Sequence, residues 1–156
     1  MEFRAEKKWT TQAIAQLTEE DIAWAPTAES NSIANLVAHI WGTVRQRVEI
    51  VFFDVADTRD REKEFEKGLV MSKETALELI RKSFDPIIQV LEALKSNPTE
   101  ELLRQPYLHM PPLTYSALNN SSRVLEIMIQ MLHHLPGRTA QMIYIAKMRN
   151  GQLEWQ

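Results

Sequence analysis

At 156 residues the chain is long enough to bury a real core as one domain spanning 1–156, and its 44% hydrophobic and 25% charged content is that of an ordinary globular protein. A net charge of −3 and a pI near 5.8 supply no basic surface for a polyanion, so no nucleic-acid partner is expected. No apolar run approaches the roughly 20 residues of a membrane span, and the first residues are too polar for a signal peptide, so no membrane partner is expected either.

The chain has no cysteine, which removes disulfides, thiolate ligands and a cysteine nucleophile, and fits a cytoplasmic location. Only four glycines occur, against seven prolines and seven methionines. So few glycines argue against a many-turned β protein, and no GxGxxG or Walker-type phosphate loop is present. The expected fold class is all-α.

Glu2 to Leu17 places Phe3, Trp9, Ala13, Ile14 and Leu17 at helical spacing. Thr18 caps a short second turn over Glu19-Glu20-Asp21, which ends before Pro26 because the residue ahead of a proline is pushed towards extended backbone. Ser30-Asn31 can cap the next helix, predicted from Ser32 to about Asp54, with Ile33, Val37, Ile40, Val44, Val48 and Val51 as its apolar stripe. His39 falls on the flank of that stripe. Val55 to Gly68 is a charge run around a lone Phe65 and reads as a solvated loop or short helix.

Ser72 caps a third helix carrying Ala76, Leu77, Ile80, Phe84, Ile87, Ile88, Leu91 and Leu94, in which Pro86 is expected to cause a bend or local break. Asn97-Pro98-Thr99-Glu100 reads as a helix restart ending near Arg104, and Pro106 to Tyr115 as an extended connection. Asn120 or Ser121 caps the final long helix. Its apolar face runs through Val124, Ile127, Met128, Met131 and Leu135, is interrupted at Pro136-Gly137, and resumes at Met142 and Ile145. Four main helices with one long crossover suggest a four-helix bundle with a short extra helix.

The chemistry is expected between Leu132 and Gln141. Adjacent histidines on a helix point about 100° apart, so His133 turns away from the apolar stripe while His134 lies at its edge with Arg138. Pro136-Gly137 is read as a kink or as the junction of two shorter helices; either way the carbonyl of Leu132 loses its helical donor beside the two histidines. His109 is assigned to the surface. No Ser-His-carboxylate signature and no Glu-x-x-His pair of a di-metal bundle is present.

Several short stretches, taken in order, resemble one family. They are Trp24-x-Pro26, Asn31-Ser32-Ile33-Ala34, His39-x-x-Gly42 with Arg47, the charged run Arg59 to Glu66, Val124-Leu125-Glu126 through His134, Gln141 to Lys147, and Trp155. Together they cover nearly the whole chain and resemble an uncharacterised bacterial branch of the DinB/YfiT-like metalloenzyme superfamily. The resemblance implies an up-down-down-up four-helix bundle, a homodimer, and a divalent metal such as zinc or nickel on three histidines. It carries the first two ligands onto His39 and His134. The third position is Arg138, Pro136 lies inside the ligand turn, and Ala140 stands where the family has glycine. The likeness to that branch also favours an ordered charged loop.

Arginine has no lone pair and stays protonated, so at position 138 it both fails to bind a cation and repels it. Two neutral imidazoles alone make a weak site. The leading expectation is a bundle whose metal centre is degraded or lost, leaving His39, His134, Arg138, Gln141 and Arg47 around a small polar pocket for an anion or small molecule. That protein would be a non-catalytic binding or stress-associated module. The competing expectation is a metal-dependent thiol transferase or hydrolase that uses His39 and His134 as ligands, with Arg138 on the carboxylate of a thiol.

Overall fold

The computed structural model describes residues 2–96 and 124–156. The helix restart at 97–100, the connection at 106–115, the cap at Asn120 or Ser121, and His109 lie outside the described residues. Four long helical runs make the frame. They are α1 (Glu2–Ala15), α3 (Ile33–Val44) with its continuations, α6 (Lys73–Ser96) and α7 (Val124–Asn150). The short helices α2 (Glu19–Ala23) and α5 (Arg61–Glu64) fill the connections. α1 and α3 each pack against both α6 and α7, so the core lies at the centre of a four-helix bundle.

Local chemistry sets the boundaries. Thr18 and Asp21 form a reciprocal capping box that starts α2, and Asp21 also accepts from Arg149 at 2.5 Å. The Arg149 guanidinium lies over the Trp24 ring at 5.0 Å, which ties the end of α7 to the α2 corner. Ser32, rather than Ser30 or Asn31, caps α3 through a second capping box with Asn35. Past Val44 the run takes a π-helical turn over Arg45–Glu49 and continues as α4 (Ile50–Phe53), stopping where Asp54 turns left-handed at φ 52°. The expected single helix from Ser32 to Asp54 thus contains one widened turn, directly after the stretch that carries His39 and Gly42. Such turns occur often at functional sites.

Neither internal proline ends its helix. α6 runs unbroken through Pro86, with Ile80, Phe84 and Ile87 fully buried around it. α7 runs unbroken through Pro136 and Gly137. This corrects the expected interruption there. A proline removes one hydrogen bond and crowds one carbonyl, a cost of about 3 kcal/mol. Met131, Leu135 and Met142 are fully buried on either side of it, and burying side chains of that size is worth roughly 1.5–3 kcal/mol each. Packing therefore outweighs the local defect.

Among the described residues, no helix is long and apolar enough to cross a membrane.

Candidate functional site

His39 is buried on α3, and its Nδ1 lies 2.9 Å from Oε2 of Glu64. A carboxylate only accepts, so Nδ1 carries the proton and donates it. Glu64 reaches this position because Asp60 caps the one-turn helix α5, its side chain accepting from Lys63 N at 3.3 Å. Asn35, already the box partner of Ser32, donates from Nδ2 to the carbonyls of Glu64 at 2.9 Å and Glu66 at 3.0 Å. One residue thus both starts α3 and pins α5 against it.

Arg59 completes the cluster. Its Nε and Nη2 hold Glu64 Oε1 at 2.6 Å and Oε2 at 2.8 Å, a bidentate pair, and the same Nη2 donates to Thr43 at 3.1 Å. Nη1 donates to Gln46 at 2.8 Å. The 3.4 Å approach of Nη2 to His39 Nδ1 places two donors side by side and is proximity rather than a hydrogen bond. Gly42 makes room for all of this. A Cβ there would overlap Glu64 Oε1, come within 2.9 Å of its Cδ, and meet Arg59 Nε at 3.1 Å. Burial alone would raise Glu64, but the hydrogen bonds from Arg59 and His39 and their charges outweigh it and hold the carboxyl below its usual range.

From the opposite helix, α7 brings His134. Its ring meets that of His39 edge-to-face, centroids 5.0 Å apart, and the Phe65 ring lies tilted against His39 at 4.8 Å. The His134 Nε2 is buried and makes no hydrogen bond to the described residues. Burial first, then the charges of His39, Arg138, Arg47 and Arg59, lower its pKa to about 4. It is a neutral imidazole at neutral pH. Arg47, on the π turn, donates to Gln130 of α7. Arg138 is half-buried and donates to exposed Gln141 at 3.0 Å. His133 is exposed, as its place on the helix wheel implied.

The structure therefore brings His39 and His134 together and sets Arg47 and Arg138 near enough to act on His134, with Gln141 as an outer partner of Arg138. Sequence reasoning missed Arg59 and Glu64, which sit in the run read as solvated; their side chains are only 7% exposed. The signal available was Phe65, an apolar residue beside Glu64 within the charged stretch.

A three-histidine metal centre does not fit these residues. Among the described residues, no group of three or more His, Cys, Asp or Glu side chains is arranged to hold a metal ion. Both oxygens of Glu64 are committed to Arg59 and His39, and Arg138 occupies the position one turn from His134. A separate cavity of about 510 Å³ between α1 and α6, lined by Arg4, Lys7, Gln12 and Asp85 among others, lies away from the histidines. Two of the cations lining it, Arg4 and Lys7, are paired with Glu92 and Asp85.

Fold and cluster define an all-α bundle with a buried His–Glu–Arg network at the α3–α5 junction. The chain belongs to the family described as "Protein of unknown function (DUF1572)", whose model matches residues 1–156. No curated protein and no solved structure matches it.

Proposed function

We propose that this cluster is a small-anion site in a non-catalytic binding module, derived from a bundle whose metal centre has been lost. The observation that carries it is the charge around His134. Three guanidinium groups, Arg138, Arg47 and Arg59, act on a neutral, half-buried imidazole, and of the three Arg59 is paired with Glu64. Positive charge acting on His134 from three sides opposes a divalent cation there and favours a carboxylate or phosphate group. Arg138, half-buried beside exposed Gln141, would meet the anion at the rim. An Nε2 hydrogen on His134 would donate from behind.

The test is thermal unfolding of the full chain with acetate, phosphate or a small thiol carboxylate at constant ionic strength. A ligand that binds the folded state raises the melting temperature in a saturable way. The expected result is such a rise with at least one of these anions, abolished by Arg138→Ala. No saturable rise with any of them contradicts the proposal.

One observation favours the metal-dependent enzyme as a second reading. A carboxylate holding Nδ1–H of a histidine is the outer-shell partner usual for histidines that bind metal through Nε2. That reading requires a metal-dependent transfer activity that falls on His134→Ala.

A further inference from the structure

We infer that the cavity between α1 and α6 binds an apolar α-amino acid with an acylated amino group, free or as the last residue of a peptide. Its carboxylate would sit on Lys8 and its amide N–H on Gln12. The cavity of about 510 Å³ falls within the range of small-molecule sites, roughly 300–1,000 Å³. α1 contributes Arg4, Lys7, Lys8, Thr11 and Gln12, which at spacings of three and four share one side of the helix. α6 faces them with Asp85 and Ile88.

The ligand's chemistry follows from which lining groups are already engaged. Glu92 holds the Arg4 guanidinium and Asp85 the Lys7 ammonium, both from α6. These pairs brace α1 against α6 and leave the aliphatic stems of Arg4 and Lys7, with Ile88, as apolar wall. Lys8 lines the same cavity and makes no ion pair among the described residues, so one positive charge is left for one anionic group. One turn along α1, the Gln12 amide is fixed by its Nε2, which donates to the carbonyl of Gln156 at 3.0 Å. Its Oε1 is buried and accepts no hydrogen bond from the described residues. Gln16, a turn further on, shows the completed pattern: it donates to the Glu154 carbonyl at 2.9 Å and accepts from the Glu154 N–H at 2.8 Å. Gln12 has only the donating half, and a buried acceptor without a donor is costly, so a ligand N–H that reaches it relieves that cost. Lys8 and Gln12 stand about 6 Å apart along the axis. The anion and the N–H must therefore lie close together on the ligand, as they do around the α-carbon of an acylated amino acid. A free amino group would bring a second positive charge beside Lys8. The side chain on the same carbon meets Ile88 and the lysine and arginine stems. The cavity lies away from the histidines, so the inference stands independently of what that cluster binds.

Isothermal titration calorimetry of the full chain at constant ionic strength tests it, with N-acetyl-leucine and the acetylated tripeptide Ala-Ala-Leu as probes. Saturable binding of at least one is expected, and the tighter of the two tells free acylated amino acids from peptide ends. The carboxamide of the bound probe, which lacks the charge, should bind roughly tenfold or more weakly. So should the ester analogue of N-acetyl-leucine, in which oxygen replaces the amide N–H that Gln12 would accept. Exposed Lys8 can be changed without disturbing the core: Lys8→Ala should lose a similar factor and Lys8→Arg should keep most of the affinity. Arg138→Ala, which removes the anion site proposed for the histidine cluster, should leave this binding unchanged. Absence of saturable binding by both probes overturns the inference, as does a carboxamide or ester that binds as well as the parent acid. An affinity indifferent to Lys8→Ala overturns it too, and so does loss of binding in Arg138→Ala, which would put the ligand at the histidines.

Discussion

His39 donates to Glu64 across 2.9 Å although 25 positions separate them in the chain, and the same ring meets that of His134 edge-to-face. Everything else at the site supports this contact. Arg59 neutralises the carboxylate, Asn35 holds the backbone that carries it, and Gly42 leaves the space it occupies.

Gly42→Ala tests the steric part. Alanine in a helix interior normally gains about 1 kcal/mol over glycine. Here the added Cβ overlaps a carboxylate held from two sides, and overpacking costs about 1–3 kcal/mol. A net loss of up to about 2 kcal/mol in urea unfolding is expected, and stabilisation by alanine would show that Glu64 can leave.

Glu64→Gln tests the electrostatic part. The amide keeps the shape but leaves the buried Arg59 guanidinium without its countercharge. Removing one partner of a buried pair costs about 3 kcal/mol. At this chain length that corresponds to a melting temperature about 10 °C lower. A change within experimental error would place the pair in contact with solvent.

These two residues also show where reading the sequence stops. The four-helix frame was legible because its apolar periodicity is local, and His39 and His134 were legible through the family resemblance. Arg59 and Glu64 were not, because a charge run looks the same whether it is solvated or folded inward over a partner 20 residues away. The His39-x-x-Gly42 spacing could be seen, but its reason lies in a carboxylate from another element. Pro136 and Gly137 announce a break in any local reading. The helix persists because Leu135, Met142 and their neighbours are buried in the bundle.

Stability should depend on pH through His134. Its folded pKa of about 4 lies below the ordinary 6.5, so the unfolded chain takes up a proton first as pH falls. The contribution of this neutral ring is complete above pH 6.5 and is lost between 6.5 and 4. With allowance for partial solvent screening, that loss is roughly 1–2 kcal/mol. The lowered carboxyls of Glu64 and Asp21 add a further loss, beginning below their ordinary values of 4.5 and 3.8. Glu6, raised by burial, acts in the opposite sense and gives back stability as pH falls through its folded value. Comparing urea unfolding of wild type and His134→Gln between pH 7 and 5 isolates the histidine. The wild-type curve should lose stability over that range while the variant stays flat, and parallel curves would mean that His134 remains solvated. In an NMR titration, Arg138→Ala should move the His134 pKa upward from about 4.

By the family resemblance, Arg138 stands where a third histidine would complete a metal centre with His39 and His134. The most direct measurement is metal content by mass spectrometry on wild type and Arg138→His, both purified without chelator or affinity-tag metal. Two histidines four residues apart on one helix face can chelate a cation together with His39. The expected result is zinc or nickel far below one per chain in wild type and approaching one per chain in Arg138→His. Near-stoichiometric metal in wild type, lost on His39→Ala and His134→Ala, would contradict it.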